Sequence, residues 1–171
     1  PETGEIFPII LPSYVSLQGE DEEMTILDAM QTNNVIIMEN TTENTLSNIS
    51  IIGGQSEQTE SNTCPGSGSV CKGGGIYVFN SDPIITQVTV SENMAVFGGG
   101  IYLQYSNALL TNVTFNDNFA AAGGGIRLTA ASPILNHVVV DGNTSGGGIS
   151  ISGDYNNNQW ISNPILNHVI I

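Results

Sequence analysis

The sequence has very few basic residues. Lys72 and Arg127 are the only two, against 16 acidic residues, and the 171-residue chain has a formal net charge of −14. Nucleic acid binding depends on clustered Lys and Arg that neutralise phosphates. The composition therefore excludes a nucleic acid partner, and an acidic membrane surface would repel the chain in the same way.

Long hydrophobic runs are also missing. No segment approaches the roughly 18 to 20 apolar residues of a membrane-spanning helix, so no membrane span is expected in this segment. Only 11% of residues are charged, 20 are glycine, and the usual helix formers are scarce, which indicates an all-β chain with many turns. The chain begins at Pro1 without a methionine and ends at Ile171 inside a repeat. We expect it to be a single segment, 1–171, of a longer protein.

A repeat of about 25 residues dominates the sequence. Gly-Gly-Gly-Ile occurs four times, beginning at residues 73, 98, 123 and 146. Each copy is followed by alternating apolar residues, a turn and a second apolar strand such as Ile85-Thr-Gln-Val88-Thr-Val90. One further copy of that strand, Leu46-Ser-Asn-Ile49-Ser-Ile51, precedes the first triplet. A fixed period of this length is typical of solenoids.

The alternation predicts how each repeat folds. Apolar residues two apart point to the same side of a strand, and the change of parity between Ile85 and Val88 predicts a bend. A single coil cannot bury its inner face, so coils must stack. We therefore predict an all-β, right-handed parallel β-helix with about 25 residues and three short strands per coil. N-terminal coils would span 1–52, an inserted loop 53–72, and the glycine repeats 73–171.

One asparagine recurs three residues after the last apolar position of each coil. Asn93, Asn118 and Asn143 occupy this place, and we predict that they form a structural ladder of stacked amides at a turn. The glycine triplets are expected where the backbone needs a positive φ or where neighbouring coils approach too closely for a Cβ atom.

These motifs resemble those of known families. Gly-Gly-Gly-Ile together with Phe115-Asn-Asp-Asn118 is similar to the paired repeats of the polymorphic outer-membrane proteins and to right-handed β-helix repeats of the pectin-lyase-like superfamily. The opening segment, from Gly4 to Ala29, is similar to the first coil of bacterial β-helix proteins of uncharacterised function. The resemblance implies a secreted or surface-displayed protein in a carbohydrate-rich setting, without implying one activity.

Two irregular segments interrupt the repeat. The first contains Cys64 and Cys71, the only two cysteines, in a polar loop. They are predicted to form a local disulfide in an oxidising compartment; free thiols and a metal site are the alternatives. The second adds eight residues to the last coil, because the glycine triplet and the proline position lie 18 residues apart (146 to 164) instead of 10 (73 to 83).

That second insertion carries the candidate binding residues. Its aromatic and amide side chains could stack on and hydrogen-bond to sugar rings, and the residues are Asp154, Tyr155, Asn157 and Trp160. The alternative is a loop held in place by its own aromatic side chains.

Other polar residues offer weaker sites. Glu92 and Asp117 share one repeat position and could recruit calcium, although a solvated turn is the simpler interpretation. His137 and His168 also share a position, at which other coils have Gln or Asn, so a polar bend is favoured over a metal site. Arg127 faces outward as a single arginine without a partner cluster, which is a weak lyase site, and we predict no catalytic and no metal residues.

These observations favour a non-enzymatic scaffold, secreted or at the cell surface, that acts as a spacer, an adhesin or a glycan-binding surface. The alternative is a carbohydrate-active enzyme, either a polysaccharide lyase or a glycoside hydrolase, or the substrate-binding part of one. The expected partner is a carbohydrate or another cell-surface molecule, and no cofactor is expected apart from the calcium considered above. The oligomeric state stays open.

Overall fold

The structure is a computed structural model that describes residues 4–56, 71–153 and 161–171. All of the regular secondary structure in these ranges is β. The strands in chain order are β1 (Ile9–Ile10), β2 (Ser16–Gln18), β3 (Ile26–Asp28), β4 (Ile36–Glu39), β5 (Thr45–Ile52), β6 (Ile76–Phe79), β7 (Ile84–Ser91), β8 (Met94–Phe97), β9 (Ile101–Gln104), β10 (Leu109–Asn116), β11 (Phe119–Ala122), β12 (Ile126–Thr129), β13 (Ile134–Asn136), β14 (Val139–Asp141), β15 (Thr144–Ser145), β16 (Ile149–Ser152) and β17 (Ile165–Asn167).

The strands form three parallel sheets that run along the stack of coils. Sheet A has the order β1-β4-β6-β9-β12-β16, and sheet B has the order β17-β13-β10-β7-β5-β2, with β14 beside β10 and β3 beside β5. Sheet C has the order β15-β11-β8. A regular coil in the middle of the stack contributes one strand to each sheet, as β9, β10 and β11 do. The predicted all-β solenoid of about 25 residues per coil is confirmed.

Equivalent side chains of successive coils stack in the core. In sheet A, Ile76 pairs with Ile101 and Ile101 with Ile126, and all three are completely buried. In sheet B, Val90 pairs with Phe115, which is also completely buried. Each coil covers the apolar faces of its neighbours, which is how a solenoid removes apolar surface from water.

Five coils bend along sheet B at one residue in the left-handed backbone region, inside the long strands β5, β7 and β10 and directly after the short strands β13 and β17. Gln87, Asn112 and His137 have φ of 52°, 53° and 51°, and Asn48 and His168 have similar values. This bend explains the change of parity between Ile85 and Val88, because the residues on both sides of it point into the core. The predicted polar bend position is confirmed, and amide side chains suit it because Asn tolerates positive φ.

The glycine triplets serve two different needs. Gly98 has a φ of +64°, which an L side chain adopts at a cost. Gly100 has an ordinary φ, but a Cβ atom built on it would lie 2.6 Å from the carbonyl oxygen of Gly125 in the next coil. In the triplets that begin at residues 73, 98 and 123 the first glycine is therefore needed for its positive φ, and the third, as at Gly100, for the close approach of neighbouring coils.

The first insertion leaves and rejoins the coil in regular pairing. Gln55 forms a parallel bridge with Met94, and Lys72 forms one with Phe97. These two bridges make both flanks of the insertion part of the stack. Residues 57–70 lie outside the described ranges. The acidic loop at residues 20–23 contacts sheet B, because the hydroxyl of Thr89 donates to a carboxylate oxygen of Glu22 at 2.8 Å.

Candidate functional site

The candidate binding residues of the second insertion belong to residues 154–160. Asp154, Tyr155, Asn157 and Trp160 all lie outside the described residues, and the sugar-stacking hypothesis for them stays a prediction. Cys64 also lies outside them, and the disulfide stays a prediction. Its predicted partner Cys71 is buried, with 1% of its surface exposed.

The asparagines at the turn between sheets B and C form a hydrogen-bonded column. The amide nitrogen of Asn93 donates to Oδ1 of Asn118 at 3.1 Å, and the amide nitrogen of Asn118 donates to Oδ1 of Asn143 at 3.0 Å. Each Oδ1 also accepts the backbone N–H of the preceding rung, at 3.1 Å in both steps. Gly54 takes the first place in the column, and its N–H donates to Oδ1 of Asn93. These amides are structural, because their polar atoms are engaged between coils.

The acidic residues at the same turn lie just before the ladder. Glu92 and Asp117 share the left-handed position, with φ of 56° and 55°, and Asp141 pairs with Asn116 one position earlier. Within residues 4–56, 71–153 and 161–171, no group of three or more His, Cys, Asp or Glu side chains could hold a metal ion. Calcium binding at this turn stays a prediction.

The histidine pair stacks as the repeat register predicts. The rings of His137 and His168 are parallel within 1°, and their centroids lie 4.8 Å apart. Both side chains are exposed. Face-to-face rings direct their nitrogen lone pairs along parallel lines, so in this arrangement the two nitrogens do not converge on one metal ion.

Both basic side chains of the chain contact aromatic rings beside the outer face of sheet A, Arg127 from a strand of that sheet and Lys72 from the segment before β6. Tyr77 and Tyr102 are paired in register and stack with their centroids 5.9 Å apart. The ammonium of Lys72 lies 5.8 Å and 5.6 Å from these two rings. The guanidinium of Arg127, next in the same row, lies 5.9 Å from the ring of Phe97. We call this group the outer aromatic cluster.

Hydrogen bonds further restrain the two basic side chains. Arg127 donates to the hydroxyls of Ser150 and Ser152 in the following coil, and Lys72 donates to Oε1 of Gln104 at 3.4 Å. Arg127 is only partly exposed. Register thus brings hydroxyls and a ring to Arg127 from the neighbouring coils, contacts that the sequence analysis did not anticipate.

Burial changes the acidity of the two tyrosines in the outer aromatic cluster. Tyr77 and Tyr102 are only 1% and 5% exposed. Burial raises the pKa of Tyr77 well above its ordinary value, and negative Glu39 and then Tyr102 add to the effect. Burial also raises the pKa of Tyr102, although its hydrogen bond to Thr129 and the charge of Arg127 partly oppose this. Both tyrosines stay neutral at physiological pH.

A polar cleft of about 570 Å³ lies at the corner where the strands of sheet A end. Three successive turns form it: residues 41–43 after β4, residues 80–82 after β6, and residues 105–107 after β9. We call it the corner cleft. Its lining residues are Thr41, Thr42, Glu43, Asn80, Ser81, Asp82, Tyr105 and Asn107.

Contacts between the turns hold the wall of the corner cleft. The amide of Asn80 donates to Oδ1 of Asn40 at 2.9 Å, and the backbone N–H of Asn107 donates to Oδ1 of Asp82 at 2.6 Å. Tyr105 meets the ring of Phe79 edge to face at 5.7 Å between centroids. Sequence reasoning missed this cleft, although one signal was present: Tyr105 occupies the repeat position at which earlier coils have Asn40 and Asn80.

Among the residues that the structure describes, no helix has the length and the apolar character that a membrane span requires.

Comparison with curated proteins and with solved structures gives no significant match. Comparison with family models does: the model described as right-handed beta helix region matches residues 25–165. This match covers most of the chain and agrees with the parallel stack of coils. The chain therefore belongs to the right-handed β-helix family.

Proposed function

We propose that this chain is part of a non-enzymatic scaffold, secreted or displayed at a cell surface, which presents binding loops on a rigid stack of coils. The observation that carries the proposal is the engagement of both basic residues. Lys72 and Arg127 are held against rings and polar side chains of neighbouring coils. A polysaccharide lyase needs a basic group directed at its substrate to abstract a proton, and here both basic groups support the fold.

The repeat itself supports a scaffold. Its coils share inward rows and one asparagine ladder, so the stack can be extended without changing its cross-section. Export from the cell is supported by two sequence features. One is the predicted disulfide between Cys64 and Cys71, and the other is the resemblance to surface-displayed β-helix proteins.

A carbohydrate-active enzyme is the second candidate, and one observation favours it. Glu43 and Asp82 both line the corner cleft, and glycoside hydrolases use two carboxylates on either side of the scissile bond. Asp82, however, accepts the backbone N–H of Asn107, so this carboxylate already has a role in the turn. We therefore rank hydrolysis below the scaffold.

The test is an activity screen of the complete protein. It would be incubated with polygalacturonate, alginate, xylan, mannan and β-glucan, and new reducing ends and unsaturated products would be measured against a commercial lyase and a commercial hydrolase as positive controls. We expect neither product. Cleavage that is lost in Glu43→Gln or Asp82→Asn would establish the hydrolase instead, and unsaturated products would establish a lyase.

Localisation needs a separate measurement. Antibody labelling of intact source cells, together with fractionation of the culture, should find the protein outside the cell or on its surface. Detection in the cytoplasmic fraction alone would contradict the proposal.

A further inference from the structure

The corner cleft combines features that suit a small polar ligand. Its volume of about 570 Å³ lies within the range of ligand sites, which is about 300 to 1,000 Å³. Its rim is open, because Thr42, Glu43, Asn80, Asp82 and Asn107 are all exposed. One aromatic side chain, Tyr105, stands among these polar groups and is partly exposed.

We propose that the corner cleft binds a neutral oligosaccharide. The proposal rests on the scaffold function and adds a ligand class to it. A sugar ring has apolar C–H faces and a rim of hydroxyls that donate and accept hydrogen bonds. Tyr105 offers the ring surface for stacking, while the amides of Asn80 and Asn107 both donate and accept and the carboxylates of Glu43 and Asp82 accept.

The charge of the cleft selects among glycans. Two carboxylates and no basic side chain line it, within a chain whose net charge is −14. A uronate, a sulfated sugar or a phosphate would meet like charges without a cation to pair with. A neutral glycan meets no such penalty, and its hydroxyls can donate to the carboxylates.

The cleft is organised before any ligand arrives. Thr41 donates its backbone N–H to the hydroxyl of Ser81 at 2.9 Å, and Ser81 donates in turn to the carbonyl of Phe79. Thr41 and Ser81 are 8% and 4% exposed, so this floor is well packed. A preformed wall reduces the ordering cost of binding, which matters for a ligand held mainly by hydrogen bonds.

The size of the cleft indicates a short stretch of glycan. Three turns spaced by about 4.8 Å, the separation of neighbouring strands, extend over roughly 10 Å along the stack. That length accommodates about two sugar rings. A peptide would be held less well, because peptide recognition in a groove relies on several apolar anchors and this cleft offers one aromatic ring.

The experiment uses the complete protein and isothermal titration calorimetry. The probes are cellohexaose, mannohexaose and xylohexaose, with hexagalacturonate as the anionic comparison. We expect at least one neutral hexasaccharide to bind, and hexagalacturonate to bind at least about tenfold more weakly, a difference of about 1.4 kcal/mol.

Tyr105→Asn is the decisive variant. The same position carries Asn40 and Asn80 in the preceding coils, with φ of 54° and 46° against 52° at Tyr105. The fold should therefore accept the change, and thermal melting would verify this. Loss of the stacking surface should weaken the neutral glycan by about tenfold. Phe119→Ala is the matched control, since this ring is 40% exposed on sheet C and does not line the cleft.

Three results would overturn the proposal. The first is that no neutral hexasaccharide binds, and the second is that hexagalacturonate binds as tightly as the neutral glycans. The third is that Tyr105→Asn leaves the affinity for the neutral glycan unchanged. That result would place the sugar elsewhere, for example at the insertion of Tyr155 and Trp160. New reducing ends in the same mixtures would contradict the scaffold function while leaving the cleft to be decided by Tyr105→Asn.

Discussion

Individual polar residues link one coil to the next. Asn118 is completely buried and bonds in both directions along the stack. Its Oδ1 accepts from Asn93, and its amide nitrogen donates to the carbonyl of Val90 and to Asn143. A buried amide with this set of partners fixes the register of the coils, because any slip would leave polar groups without partners in the core.

Asn118→Ala should be strongly destabilising. It removes a side chain on which Asn93 and Val90 depend, and each buried polar group left unsatisfied costs about 1 to 3 kcal/mol. We expect a loss of about 2 to 4 kcal/mol in the free energy of unfolding, measured by urea denaturation. Asn107→Ala, at an exposed turn, is the matched control and should change it by less than about 0.5 kcal/mol. Similar losses in the two variants would contradict the ladder's role.

A second prediction at the residue scale concerns close approach between coils. In Gly100→Ala the new methyl group would lie 2.6 Å from the carbonyl oxygen of Gly125, so the coils must separate locally. Overpacking of this kind costs about 1 to 3 kcal/mol. Ala121→Ser is the control, because it also adds one heavy atom to a side chain but at an exposed position. Equal stability of wild type and Gly100→Ala by thermal melting would show that the coils yield there.

Residue-level prediction succeeded where a position repeats. The bend at Gln87, Asn112 and His137 followed from the change in apolar parity, since an inward residue on each side of the bend requires an odd step. The partners of Arg127 did not follow in this way. Its hydroxyl partners Ser150 and Ser152 are outward residues in the next coil, and outward positions vary freely from copy to copy.

At the scale of the strand, sheet A has two different faces. Its inner face packs the core through residues such as Val78 and Leu103, whereas its outer face carries the aromatic cluster of Tyr77 and Tyr102. The outer aromatic cluster is a second, smaller apolar group on the outer surface of the solenoid. Cation–π attraction is strongest where aromatic rings are shielded from water. This attraction favours the positions of Lys72 and Arg127 beside the rings of the outer aromatic cluster.

The outer aromatic cluster predicts instability in alkaline solution. Burial raises the pKa of Tyr77 above its ordinary value of 10.0, so the folded state holds the phenol proton more tightly than the unfolded chain. The resulting stabilisation is fully present below about pH 10 and is lost as pH rises through the folded pKa. Urea denaturation at pH 8, 9, 10 and 11 should therefore give a falling free energy of unfolding.

Tyr77→Phe tests the assignment, because it keeps the ring and removes the ionising group. Its free energy of unfolding should fall less between pH 9 and 11 than that of the wild type. Tyr14→Phe is the control, since Tyr14 is 72% exposed, and it should follow the wild-type curve. If Tyr77→Phe loses as much stability as the wild type, the alkaline effect arises elsewhere.

The whole molecule carries a strong excess of negative charge. With 16 acidic and two basic residues, most charge pairs repel one another, and compact states bring them closer than the unfolded chain does. The negative net charge also repels anionic glycans before they reach the turns of the corner cleft. The proposed preference of the cleft for neutral glycans is consistent with this repulsion.

Salt should therefore stabilise the fold. Raising NaCl from 10 to 150 mM shortens the screening length from about 30 to 8 Å, which weakens the repulsion. We expect the melting temperature to rise by about 2 to 4 °C, equivalent to about 1 kcal/mol for a chain of this size. Sucrose of matched osmolality controls for solvent exclusion, and a melting temperature that falls with NaCl would show that attractive pairs dominate.

The sequence by itself determined the coil length, the inward rows, the bend and the place of the asparagine ladder. Each of these features depends on local backbone geometry that recurs at a fixed period. The repeats of this one chain therefore show the same pattern several times. Only the tertiary structure decided which outward side chains meet. Lys72 reaches Tyr102, and residue 41 lines a cleft with residue 107, because stacking joins turns that are far apart in the chain and whose side chains the core does not constrain.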